Sequence, residues 1–146
     1  MNKPQFPRRA RGVTLIELVT VMAVIGILSA ISIPAYTSYV LRVNRTDAKR
    51  ALLEVSSKLE RCFTRGNDYT VQDIGGMKCV TLPFDTPEGT YTIDGDIQKN
   101  KFTLTATPIK GQARDTKCKI FTIEQSGAQS TSGGSSDSRK CWEGRD

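Results

Sequence analysis

Residues 13–33 form a run of twenty-one that contains a single charge, Glu17. A helix of roughly 20 apolar residues is long enough to cross a bilayer, so the run commits the chain to lipid or to a tight bundle of copies. The twelve residues before it carry Lys3, Arg8, Arg9 and Arg11 and no acid. A secretory signal is cut after an apolar core of about 7–15 residues. Here the only available cut follows Gly12, ahead of the run, so the run would be kept. A carboxylate in such a run costs roughly 2.5–3.5 kcal/mol at mid-membrane and less near the interface, so Glu17 needs a partner. Cleavage after Gly12 would create one, an α-amino cation on Val13. That amine lies one helical turn from Glu17, within reach inside one chain and also reachable between chains. The plainer alternative leaves Glu17 among the headgroups, favoured by the positive end of its own helix.

Gly12, Val13, Thr14, Leu15, Ile16, Glu17 and Leu18 resemble the prepilin processing site of type IV pilins and type II pseudopilins. In that family a Gly precedes the cut and a Glu stands fifth in the mature chain. Gly26 and Pro34 match the helix-interior Gly and Pro of the family. One departure is Val13, where the family most often has Phe or Met. The resemblance implies cleavage by a prepilin peptidase, a membrane aspartyl enzyme, followed by methylation of the new amine, which keeps its charge. It implies that Glu17 pairs with the amine of a neighbouring subunit, and that the Gly26-to-Pro34 segment can lose helical order in a filament. A membrane helix with an ordinary tolerated proline is the rival reading of Pro34.

Beyond the run, residues 34–146 suffice for one modest core. The formal charge is +6, but four positive charges lie in the leader, which leaves about +2 and weakens a whole-chain case for a nucleic-acid partner. Basic residues before the span place the leader in the cytoplasm and the rest across the inner membrane. Cys62, Cys79, Cys118 and Cys141 all fall in that exported part. An even count in an oxidising compartment reads as two disulfides with three possible connectivities. The expected pairing is Cys62–Cys79 and Cys118–Cys141, the second being the C-terminal disulfide-bounded loop that the resemblance implies. No metal or cofactor is expected. There is no His and no CxxC spacing, and Asp94-Gly95-Asp96 lacks the ligands of a calcium loop and reads as a solvated turn.

The expected fold is α+β. A long helix from about residue 13 to 64 is membrane-spanning in its first half and amphipathic in its second, on the order of 75–80 Å in all, giving a lollipop. Its apolar face (Tyr39, Val40, Val43, Ala48, Ala51, Leu52, Val55, Leu59, Cys62 and Phe63) recurs at helical steps, with Arg42, Arg45, Lys49, Arg50, Glu54, Lys58 and Arg61 opposite. Gly66-Asn67 ends it. The expected divisions are a leader at 1–12, an assembly half at 13–33 and an exported domain at 34–146. Within the last come the helix to 64, a connecting loop at 65–89, a sheet at 90–131 and the disulfide-bounded region at 118–141. Alternation around Tyr91–Ile97, Phe102–Ala106 and Lys117–Glu124, with a short run at 128–131, predicts three or four antiparallel strands packed on the helix. Ser/Gly-rich residues 130–138 read as a mobile loop, and Trp142 is expected to pack beside the disulfide.

Without His there is no hydrolase triad, and without a phosphate loop there is no built-in motor, so an enzyme is not expected. The resemblance implies a structural subunit, of the minor kind, processed by prepilin peptidase and assembled with major and minor pilins. It would support pilus biogenesis, twitching motility or adhesion, and be driven by an inner-membrane platform protein and a cytoplasmic ATPase. Its location would be the inner membrane, then the extracellular pilus. A type II secretion pseudopilin is one rival. A second is a DNA-binding pilin for natural transformation, for which Lys110, Arg114, Lys117, Lys119, Arg139 and Lys140 form a candidate phosphate-binding patch. Asp115, Asp137, Glu143 and Asp146 are expected to neutralise much of it.

Overall fold

A computed structural model describes residues 12–145. Leader positions 1–11 and Asp146 lie outside the described residues, as do the side chains of Ile74 and Met77. The chain divides into two compact units, residues 1–38 and 39–146. Helix α1, Leu15–Gly66, is helical through Gly26 and Pro34.

In the first unit the side chains of α1 are exposed almost throughout, from Leu15 at 82% to Val21 at 52%. The segment is long and apolar enough to cross a membrane and buries none of its apolar window. Pro34 has no N–H to give to the carbonyl one turn back. Nearby hydroxyls take up other carbonyls, Ser38 Oγ donating to Pro34 O at 3.0 Å and Thr37 Oγ1 to Ile33 O at 3.0 Å.

In the second unit α1 buries Ala48, Ala51, Leu52, Val55, Leu59 and Cys62, a stripe at three- and four-residue steps. It ends where Asn67 turns left-handed at φ 52° and donates its N–H to Phe63 O. The sheet has five antiparallel strands in sequential order: β3 (Phe84–Asp85), β4 (Tyr91–Gln98), β5 (Lys101–Pro108), β6 (Ile120–Glu124) and β7 (Gln129–Ser132). Before it, β1 (Asp73–Ile74) and β2 (Met77–Lys78) pair around Gly75-Gly76 inside the stretch expected to be loop. The register aligns Ile93 with Ala106, Leu104 with Ile123 and Ala106 with Phe121. Period-two alternation thus sends Tyr91, Ile93, Phe102, Leu104, Ala106, Phe121 and Ile123 into one core with the α1 stripe. Thr92, Asp94, Asp96, Thr103, Thr105 and Thr122 take the other face. At Phe63 the core closes with Tyr69 stacked 4.3 Å away and Phe102 edge-on to Tyr69.

Three expectations are corrected. Asp94-Gly95-Asp96 lies inside β4 and makes no turn; a Cβ on Gly95 would come within 2.7 Å of Leu104 Cδ2 and 2.9 Å of Thr103 O. Glycine is there because the neighbouring strand leaves no room. The Ser/Gly-rich stretch is likewise pinned: residues 129–132 form β7, Ser135 and Ser136 donate to Thr116 O and Lys117 O, and a Cβ on Gly134 would overlap the Lys117 carbonyl. Close approach of the Lys117 backbone requires the small residue at Gly134.

Arg45 is the third. It lies on the buried side of α1 at 4% exposure, and its Nε and Nη2 donate to the two carboxylate oxygens of Asp115 at 2.5 and 2.9 Å. Asp115, 1% exposed, also accepts from Lys117 N at 2.9 Å and Cys118 N at 3.2 Å. Gln112 completes the network, its Nε2 donating to Tyr91 Oη at 3.0 Å and Leu41 O at 3.1 Å while its Oε1 accepts from Asn44. Burial pushes the Tyr91 hydroxyl well above the ordinary phenol range. A buried fork of this kind satisfies both charges only while both are present. Arg45→Ala should therefore cost about 3–5 kcal/mol. By contrast Lys58→Ala, which breaks the exposed Glu54 pair, should cost under about 1 kcal/mol. Equilibrium unfolding of the detergent-solubilised chain, followed by Trp142 fluorescence, measures both.

Candidate functional site

Two regions carry the residues singled out from the sequence. At the start of α1, Thr14 and Glu17 form a reciprocal capping box. Glu17 N donates to Thr14 Oγ1 at 3.3 Å and Thr14 N to a Glu17 carboxylate oxygen at 3.5 Å. The box satisfies amides that the first turn would otherwise leave without acceptors. Glu17 thus has a local role besides any pairing between chains. Thr14 was missed as a functional residue, although its spacing of three from Glu17 is the signature of this cap. Val13 is 72% exposed, and nothing stands within 4 Å of a Cβ built on Gly12 or Gly26.

The second region surrounds Cys118–Cys141, one of two disulfides; the other is Cys62–Cys79. Each closes a loop (sequence separations 23 and 17), worth on the order of 3 kcal/mol. Cys118 leads into β6, and Cys141 sits on α2 (Ser138–Glu143). Lys117 and Lys119 flank one sulfur and Arg139 and Lys140 precede the other, so the bridge gathers four of the six expected cations. Lys110 is not among them: its ammonium stands over Gly89, in the turn between β3 and β4 at the other end of the strand order. Arg114 is exposed at the end of the short 3-10 turn Lys110–Arg114.

One of the expected neutralising acids is engaged elsewhere, while Asp137 and Glu143 line the same surface as Arg139 and Lys140. Asp115 is buried against Arg45. Asp137 caps α2, accepting from Arg139 N at 2.8 Å, and Glu143 accepts from Arg145. Asp146 lies outside the described residues. Among the described residues no cluster of three or more His, Cys, Asp or Glu could hold a metal ion.

A family model described as "Type IV minor pilin ComP, DNA uptake sequence receptor" matches residues 34–122, and a second, "Prokaryotic N-terminal methylation motif", matches residues 7–33. The chain belongs to the type IV pilins, in the minor pilin family whose model covers most of the second unit. It is 31% identical over 108 residues to prepilin peptidase-dependent protein D of Escherichia coli K12, covering 68% of this chain and 73% of that protein. It is 39% identical over 70 residues to a fimbrial protein of Moraxella nonliquefaciens (44% of this chain, 46% of that one). It is 37% identical over 70 residues to the type IV major pilin protein PilA of Myxococcus xanthus (48% and 32%). A solved type IV pilin from Shewanella oneidensis overlays 61% of this chain and 89% of its own at 20% identity and a TM-score of 0.42, too loose to add to the assignment. A type IV pilin is a structural subunit that associates with other pilins, and that is the role of this chain.

Because the bridge closes a loop with a sequence separation of 23 and so constrains the unfolded chain, Cys118→Ser with Cys141→Ser should lower stability by about 2–5 kcal/mol. Thermal unfolding of the oxidised chain and the double variant checks it.

Proposed function

We propose that this subunit is a minor pilin. In this reading prepilin peptidase cuts between Gly12 and Val13, and the new amine is methylated and meets Glu17 of a neighbour. The observation that carries it is Glu17, an acid in a helix half whose apolar side chains are exposed. Lipid covers that half before assembly, with the leader cytoplasmic and the disulfide-bonded unit in the periplasm. Neighbouring pilins cover it afterwards, with Gly26 and Pro34 as the points where helical order is weakest. Extraction from the membrane draws on a platform protein and a cytoplasmic ATPase. Glu17→Ala should leave membrane insertion intact and reduce the amount of this subunit in sheared filaments severalfold; equal recovery would contradict the pairing.

A second role, DNA binding, is favoured by the family model over residues 34–122 and by the withdrawal of Asp115 from the cation cluster. Lys117, Lys119, Arg139 and Lys140 would contact phosphates, with Arg114 beside them and Lys110 outside the footprint. Each phosphate contact contributes about 0.9 to the slope of log affinity against log salt. Electrophoretic shifts with the full chain at two salt concentrations should show Arg139→Ala with Lys140→Ala reducing that slope, and Lys110→Ala leaving it unchanged. Equal slopes in all three proteins would remove DNA contact from this surface.

A further inference from the structure

A five-stranded open sheet has two edges, and an edge strand offers unpaired backbone groups to any other chain. One edge, β3, is two residues long and lies between Pro83 and Pro87, so it offers little. The other, β7, has neither safeguard: residues 125–136 contain no charge and no proline. In the β6–β7 register Thr122 faces Ser130 and Phe121 faces Thr131, and Glu124 N donates to Ala128 O. Antiparallel ladders alternate bonded and non-bonded pairs. The even-numbered residues of β7 therefore bond to β6, and the N–H and C=O of Thr131 point outward.

The outward N–H is already taken, and the hydroxyl that takes it stands against the outward carbonyl. Thr131 N donates to Ser138 Oγ at 2.9 Å, and Ser138 Oγ lies 3.0 Å from Thr131 Oγ1 and 3.4 Å from Thr131 O. Ser138 begins α2, which lies along β7 and is fastened at several points. Cys141 is bonded to Cys118. The Trp142 ring stands edge-on to Phe121, with centroids 5.5 Å apart. Its Nε1 donates to Ser130 O at 3.0 Å, and Lys49 Nζ of α1 donates to Trp142 O at 3.1 Å. A six-residue helix has little stability of its own, so these fastenings hold it in place.

We propose that α2 is an edge guard: Ser138 occupies the outward backbone of Thr131 and so prevents β7 from pairing with β7 of a second copy. A second copy is the fitting occupant because two charge-free polar strands of identical sequence meet antiparallel with no like charges opposed. A subunit that must associate through its helix is thereby kept from associating through its sheet. Cys118–Cys141 locks the guard once the unit is oxidised.

The test uses the full oxidised chain in detergent, with a photo-crosslinking residue at Gln129 and amide exchange read at Thr131. Ser138→Ala should raise Thr131 exchange about tenfold, the equivalent of one lost hydrogen bond, and give β7-to-β7 crosslinked dimers absent from the parent. Ser138→Thr, which keeps the hydroxyl, should restore both. Trp142→Phe keeps the ring on Phe121 and removes only the donor to Ser130, and should shift both readings in the same direction by less. Unchanged Thr131 exchange in Ser138→Ala overturns the proposal, as does raised exchange without crosslinked dimers. So does equal crosslinking in Leu82→Ala, which weakens the core away from this edge.

Discussion

One helix is asked to satisfy two environments, and the rest of the structure follows from that demand. From Leu15 to the Ser38 boundary α1 presents apolar side chains that stand exposed. From Tyr39 onward its apolar residues narrow to a stripe, and that stripe is covered by a sheet. The hydrophobic effect explains the second half directly, since Leu52, Val55 and Leu59 leave water on folding. The first half cannot be explained within one copy. It requires lipid or other subunits, and Glu17 makes that requirement specific because a carboxylate tolerates an apolar setting only with a partner.

What fixes the sheet to the helix is polar as much as apolar. Arg45, Asp115, Gln112 and Tyr91 join α1, the segment after β5 and β4 in one buried network, so the connection between β5 and β6 has one position. Asp115 holds the amides of Lys117 and Cys118, which sets Cys118 opposite Cys141. The bridge then ties α2 across the sheet edge, where Trp142 and Ser138 engage β7. A chain of interactions thus runs from mid-helix to the C-terminal segment, and the cation cluster rides on its last link.

Much of this was legible in the sequence. The apolar run, the basic residues before it and Glu17 pointed to the family that the comparisons assign. Strands β4, β5 and β6 announced themselves by alternation, and the helix end by Gly66-Asn67. The misreadings share one cause, the silence of sequence about proximity in space. Arg45 reads as a surface cation until Asp115, seventy residues on, is known to face it. Gly95 and Gly134 read as turn or loop until the backbone that crowds them is seen. Two-residue β3 has no period to detect. Lys110 joined a patch on paper because it is near Arg114 in sequence, whereas the strand order carries it to the Gly89 turn.

In the proposed assembly an acid in an apolar setting is met by an amine that only cleavage exposes. The most direct measurement is the intact mass of this protein recovered from sheared filaments. The predicted mass is that of residues 13–146 with one added methyl group and both disulfides closed. Filament-borne protein that still carries Met1 and the residues through Gly12 would contradict it.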